Sequence, residues 1–109
     1  MSKRDAAILL DDIRISLGKI ARYTVGMSRE VFLDDEKTVD AVVRNLEIIG
    51  EAVKQLPDNF KAAHPEVPWA QIAGLRNRIV HDYAGVDLEI IWQIMQASLP
   101  DLESKIRGL

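Results

Sequence analysis

Four side chains able to do chemistry lie close together: Arg76, Asn77, His81 and Tyr83. Imidazole is the one side chain whose ordinary pKa lies near neutrality, so His81 can take and give a proton at cellular pH. Arg76 carries a permanent charge on a planar fork that matches phosphate oxygens. Asn77 can orient an imidazole or donate to a phosphate. Such a set suits metal-independent cleavage of RNA. The ribose 2′-OH attacks its own phosphorus, a base removes its proton, an acid protonates the departing 5′-oxygen, and a cation stabilises the charge that develops. Each residue also has a plain structural reading. His81 could be hydrogen-bonded at a packed surface. Arg76 could be a core-edge residue paired with Glu47 or Glu51. Tyr83 could complete the core at a helix end.

The element that must position them is the stretch from Trp69 to Tyr83, which the spacing predicts as one helix of about four turns. Ile72, Leu75 and Ile79 form its buried stripe. Arg76 falls within roughly 40° of that stripe, and Asn77 and His81, four apart, share a face with Ala70 and Gly74. Pro68 suits a helix start, Gly85 is expected to stop the helix, and Asp87 to cap the next one.

Arg76, four residues, His81, one residue, Tyr83 resembles the active motif of the HEPN-domain proteins, specifically the HepT-like ribonuclease toxins. Arg44-Asn45-Leu46-Glu47-Ile48-Ile49-Gly50-Glu51-Ala52 is similar to an earlier helix of that family, and Pro68-Trp69 to the start of its motif helix. The resemblance extends from about Asp5 to Ile106. It implies an endoribonuclease toxin of a type VII-like toxin–antitoxin pair, with Arg76, Asn77 and His81 catalytic, no metal and no cofactor. It also implies a nucleotidyltransferase antitoxin as partner, which silences the toxin by AMPylating Tyr83; an added phosphoadenosine would neutralise Arg76 and block phosphate access. Glu51, bordering the cleft, could orient Arg76, and Arg78 adds a second cation near the motif.

On one continuous helix, Arg76 and His81 stand about 140° apart and ~7.5 Å apart along the axis. They would not sit side by side, and one histidine cannot easily serve as both acid and base. A homodimer with two motif helices facing each other across a two-fold resolves both difficulties, and the HEPN ribonucleases are similar in placing the site at a dimer interface. Assembly beyond the dimer is left open.

A chain of 109 residues predicts one domain, spanning residues 1–109, that removes roughly two-thirds of its unfolded surface from water. With 48% hydrophobic and 28% charged residues it is of ordinary globular composition. The absence of cysteine excludes disulfides and fits a reducing cytoplasm. No apolar run reaches the ~18 residues of a membrane span, and no secretory signal is evident, so no membrane partner is expected. A net charge of −3 requires any RNA contact to be local.

The remaining periodicity is helical throughout. A first helix is expected from Asp5 to about Val25, followed by a short turn capped by Ser28 that puts Val31, Phe32 and Leu33 at one end of the core. Asp34 offers the cap of a long helix whose stripe is Val39, Val42, Leu46, Ile49, Val53 and Leu56, ended by Pro57. Asp58 to His64 reads as a short helix with Phe60 inward and His64 at the surface. A last helix from about Leu88 to Ile106 must be kinked or interrupted at Pro100. The fold class is all-α: a compact antiparallel bundle of four longer helices plus short connecting helices, HEPN-like. No zinc helix, carboxylate-bridged metal motif or glycine-rich phosphate loop is present. A rival reading is a non-catalytic helical module that dimerises and positions substrate for a nucleotidyltransferase.

Overall fold

The computed structural model describes residues 5–81 and 85–109, with the His81 side chain outside that description. Among the described residues the fold is all-α apart from one minimal two-stranded pairing. Helix α1 (Ala6–Thr24) starts where Asp5, in extended conformation, turns its Oδ1 back to accept from the Ala7 N–H at 3.0 Å. The carboxylate thereby satisfies a first-turn donor that the helix itself cannot pair. Leu9, Leu10, Ile13, Leu17 and Ile20 form its buried face.

Ser28 caps α2 (Arg29–Leu33), its Oγ accepting from the Val31 N–H at 3.2 Å. Of the three apolar residues expected to plug the core here, Phe32 does so, fully buried with its ring centroid 5.7 Å from that of Trp92. Leu33 is half-buried and Val31 faces solvent. The cap of α3 (Glu36–Gln55) is Asp35, not Asp34, and its Oδ1 accepts from Thr38 N–H at 3.1 Å. The Asp34 N–H is directed to the Glu30 carbonyl instead, closing α2, so capping passes to the next carboxylate. Along α3 the expected stripe from Val39 to Leu56 is buried at every position, and α1 packs along this helix.

After Pro57 comes α4 (Asp58–Ala63), whose last carbonyls are held by Trp69. The indole Nε1 donates to Lys61 O at 3.2 Å and to His64 O at 3.0 Å. Phe60 lies between, 4.7 Å from the His64 ring and 6.1 Å from Trp69. His64 is therefore half-buried in an aromatic stack and not a free loop residue.

The chain then forms α5 (Trp69–Ala73), α6 (Leu75–Ile79), strands β1 (Val80–His81) and β2 (Gly85–Val86), and α7 (Leu88–Gln93). Asp87 caps α7 as expected, accepting from Ile90 N–H at 3.1 Å. An Arg29–Glu89 ion pair joins α2 to α7. The α-helical winding expected from Leu88 to Ile106 is interrupted just ahead of Pro100, though the chain stays helical throughout. A π-turn over Ile94–Ser98, in which the Leu99 N–H reaches the Ile94 carbonyl, leads directly into α8 (Leu99–Ile106). The wider turn relieves the clash between the proline ring and the preceding turn, and Pro100 stands in the first turn of α8, where no donor is required. The chain end is tied back by Arg14 Nη2, which donates to the carbonyls of Ile106 (3.1 Å) and Leu109 (3.3 Å).

Candidate functional site

The motif segment departs from the single helix expected. It breaks at Gly74, whose φ of −92° and ψ of 8° end α5 and restart the chain as α6. It leaves helical geometry after Ile79. Val80 is extended, the Ile79 carbonyl accepts from the Asp87 N–H at 2.6 Å, and Val80 and His81 pair antiparallel with Val86 and Gly85. The cause is local: Ile79-Val80 is a β-branched pair that favours extended backbone. Gly85 supplies a φ of +88°, which lets the return strand form. Gly85 thus shapes a hairpin and does not stop a helix.

Two expectations change as a result. Asn77 and His81 no longer stand one turn apart on a common helix, because His81 lies on β1. The Arg76-to-His81 path, part helical and part extended, reaches up to ~11 Å instead of ~7.5 Å. Tyr83 lies outside the described residues.

Arg76 was expected at the edge of the buried stripe. On the restarted α6, Leu75 and Ile79 take the inward positions, and the Arg76 side chain is 66% exposed. Its Nε stands 3.5 Å from Glu47 Oε2 on α3, and Asn77, next on α6, is exposed. Glu51 does not reach Arg76. It faces Lys54 at 3.4 Å, and both are exposed. Arg78 turns away, lining a cleft of about 60 Å³ with Ser98 and Asp101 near α8. The cations at 76 and 78 therefore serve different faces.

What sets Arg76 against α3 is Gly50. A Cβ there would lie 3.4 Å from the Ile72 carbonyl oxygen and 3.5 Å from that of Ala73. The C-terminal end of α5 rests on bare α3 backbone, and the restart at Gly74 follows immediately. One turn before Gly50 on α3, Glu47 meets Arg76. This positioning role for Gly50 is legible in the sequence only as a glycine inside an otherwise apolar-periodic helix.

A groove of about 740 Å³ elsewhere is lined by Glu30, Asp34, Asp35, Glu36 and Asp40, with Val31 and Lys37. Its carboxylates repel a phosphodiester, so size does not make it the nucleic-acid site. Among the described residues no group of three or more His, Cys, Asp or Glu side chains is placed to hold a metal ion. Nor is any helix among them long and apolar enough to cross a membrane.

Comparison with known proteins bears on the same segment. The family described as Ribonuclease HepT-like matches residues 13–109. The protein named "Probable ribonuclease HepT" from Thermococcus cleftensis is 41% identical over 107 residues, covering 98% of this chain and 97% of its own. "Putative RNase MJ0127" from Methanocaldococcus jannaschii is 44% identical over 101 residues, covering 93% and 84%. "Putative RNase TTE0752" from Caldanaerobacter subterraneus subsp. tengcongensis is 46% identical over 84 residues, covering 77% and 75%. No solved structure matches the chain significantly.

Proposed function

The chain belongs to the HepT-like ribonuclease family, and on that premise we propose that it is a metal-independent endoribonuclease, the toxin of a type VII-like toxin–antitoxin pair, acting in the cytoplasm as a homodimer. The observation that carries the reading is the Arg76 guanidinium. It is two-thirds exposed beside Glu47 at 3.5 Å, the partner that a core-edge arginine would also take, and an exposed pair of this kind is weak enough for a phosphate to displace.

In this reading Arg76 binds the scissile phosphate and stabilises the charge on its equatorial oxygens. His81 handles the protons of the 2′-OH and the 5′-leaving oxygen, and Asn77 donates to phosphate. The 2′-oxygen–phosphorus bond forms as the phosphorus–5′-oxygen bond breaks, leaving a cyclic phosphate and a 5′-hydroxyl. The long path from Arg76 to His81 within one chain supports completing the site across a two-fold, with a second histidine supplying the second proton role. Glu51 and Arg78 act at most as rim charges. AMPylation of Tyr83 by a cognate nucleotidyltransferase adds an anion close in sequence to His81 and silences the site.

The test is labelled RNA in EDTA with wild type, His81→Ala and Arg76→Ala. Each variant is expected to lose cleavage by at least about 10²-fold, with helicity and melting temperature near wild type. Variants that cleave like wild type would refute the assignment. A folded wild type that cleaves no RNA would favour the non-catalytic partner of a nucleotidyltransferase. Intact mass after co-expression with that enzyme is expected to show one adenylyl group, lost in Tyr83→Phe.

A further inference from the structure

Helix α1 carries an outward face that solvent alone does not account for. Ile8 and Ile15 are 47% and 57% exposed, and their seven-residue spacing puts them within about 20° of each other around the helix. Among the described residues, nothing outside its own helix backbone lies within 4 Å of the place a Cβ of Gly18, beside Ile15, would occupy. No described neighbour requires a glycine there, and glycine weakens a helix interior. Asp11 stands four residues before Ile15 and Lys19 four residues after it, with Arg22 seven after. The helix dipole favours acid first and base last. That explains the order of the charges but neither the isoleucines nor the glycine.

We infer that this face binds a second copy of the chain, two α1 helices lying antiparallel about a two-fold at Ile15. Each residue then meets the one equally far beyond Ile15 on the other helix. Ile15 packs on its own copy. Asp11 meets Lys19 of the partner subunit, and Ile8 packs under the aliphatic stem of the partner's Arg22. The charge pattern is self-complementary only in this antiparallel sense, as an isologous interface requires. Asp11 is 70% exposed, and its contact with Arg14 at 3.4 Å leaves room for a second cation. Gly18 lets the helices approach to the ~8–10 Å of a packed pair. The face contains none of Arg76, Asn77, His81 or Tyr83. It is therefore a different surface from the motif-centred interface, and its existence does not depend on the ribonuclease reading.

The experiment is sedimentation velocity across a concentration series, with circular dichroism to confirm folding. Ile15→Asp is expected to weaken self-association by at least about tenfold, or ~1.4 kcal/mol, and to lower the limiting mass by one association step. Asp11→Lys faces Lys19 of the partner subunit with a like charge and also weakens association, while the double variant Asp11→Lys/Lys19→Asp returns it to within about twofold of wild type. His81→Ala leaves this step unchanged. An Ile15→Asp protein of wild-type mass at every concentration overturns the inference, as does a charge swap that fails to restore association. A wild type that is monomeric at about 100 μM overturns it too.

Discussion

Substitution of Gly50 isolates the contact that holds the motif segment on α3. An alanine Cβ would meet the Ile72 and Ala73 carbonyl oxygens at 3.4 and 3.5 Å, the near limit of ordinary contact. Alanine also regains up to about 1 kcal/mol of helix propensity. The two effects nearly offset, and Gly50→Ala is expected to stay within about 1 kcal/mol of wild type. Valine differs. Its two γ-carbons extend about 1.5 Å further, and in a helix it holds largely one rotamer. At least one methyl then crowds a carbonyl oxygen, and α5 must lift by about 1 Å or the side chain must leave its rotamer. Overpacking of that kind costs about 1–3 kcal/mol. For a chain of this size it lowers the melting temperature by about 4–8 °C per kcal/mol. Because α5 leads straight into Gly74 and Arg76, the displacement reaches the site, where misplacement of ~1 Å can cost up to about 10²-fold in rate. The assay is thermal unfolding together with RNA cleavage well below the transition. Gly50→Val is expected to lose at least about tenfold in cleavage, with Gly50→Ala within about threefold of wild type. The reasoning fails if valine leaves both quantities unchanged, or if alanine is as damaging as valine.

Two further outcomes follow from side chains on α3. Asn45 is buried, with 6% exposure; its Nδ2 donates to Ala41 O at 2.8 Å, while among the described residues its Oδ1 has no partner. An orphaned buried acceptor costs about 1–3 kcal/mol, so Asn45→Leu is expected to raise denaturant stability by about 1 kcal/mol or more; a loss would show that the amide does hidden work. Glu47→Gln removes the anion beside Arg76 at little cost to stability, since an exposed pair contributes about 0–1 kcal/mol. RNA affinity measured by fluorescence anisotropy is expected to tighten by about two- to fivefold. Weaker binding would mean that Glu47 aims Arg76 instead of competing for it.

The long helices were legible because their stripes are unambiguous: Val39, Val42, Leu46, Ile49, Val53 and Leu56 are all buried as the 3-4 spacing requires. Caps read correctly at Ser28 and Asp87, where one polar residue precedes each helix, and shifted by one at Asp34-Asp35, where two carboxylates compete and α2 claims the first backbone donor. The motif segment read as one helix because Ile72, Leu75 and Ile79 keep helical spacing through Gly74 and up to Val80. Periodicity registers which side chains point inward and is insensitive to a break that preserves their direction. The signal for the hairpin was there in small form, β-branched Ile79-Val80 balanced by Gly85-Val86, but two residues per strand are too few for alternation to register. Arg76 was misplaced for the same reason, since its angle was counted along a helix that restarts just before it.

The π-turn ahead of Pro100 also sets angular phase. Ile91 and Leu99 are both buried though eight residues apart, a separation that ordinary winding would leave about 80° out of line. One turn of roughly 4.4 residues joined to one of 3.6 closes that gap and returns Leu99 to the azimuth of Ile91. Residues before and after the wide turn must therefore be counted on separate helical wheels. Deleting a residue between Ile94 and Ser98 would let ordinary winding resume, with Ile91 and Leu99 then only about 20° out of line, so Leu102 and Ile106 would stay inward and Arg14 would keep its hold on the chain end.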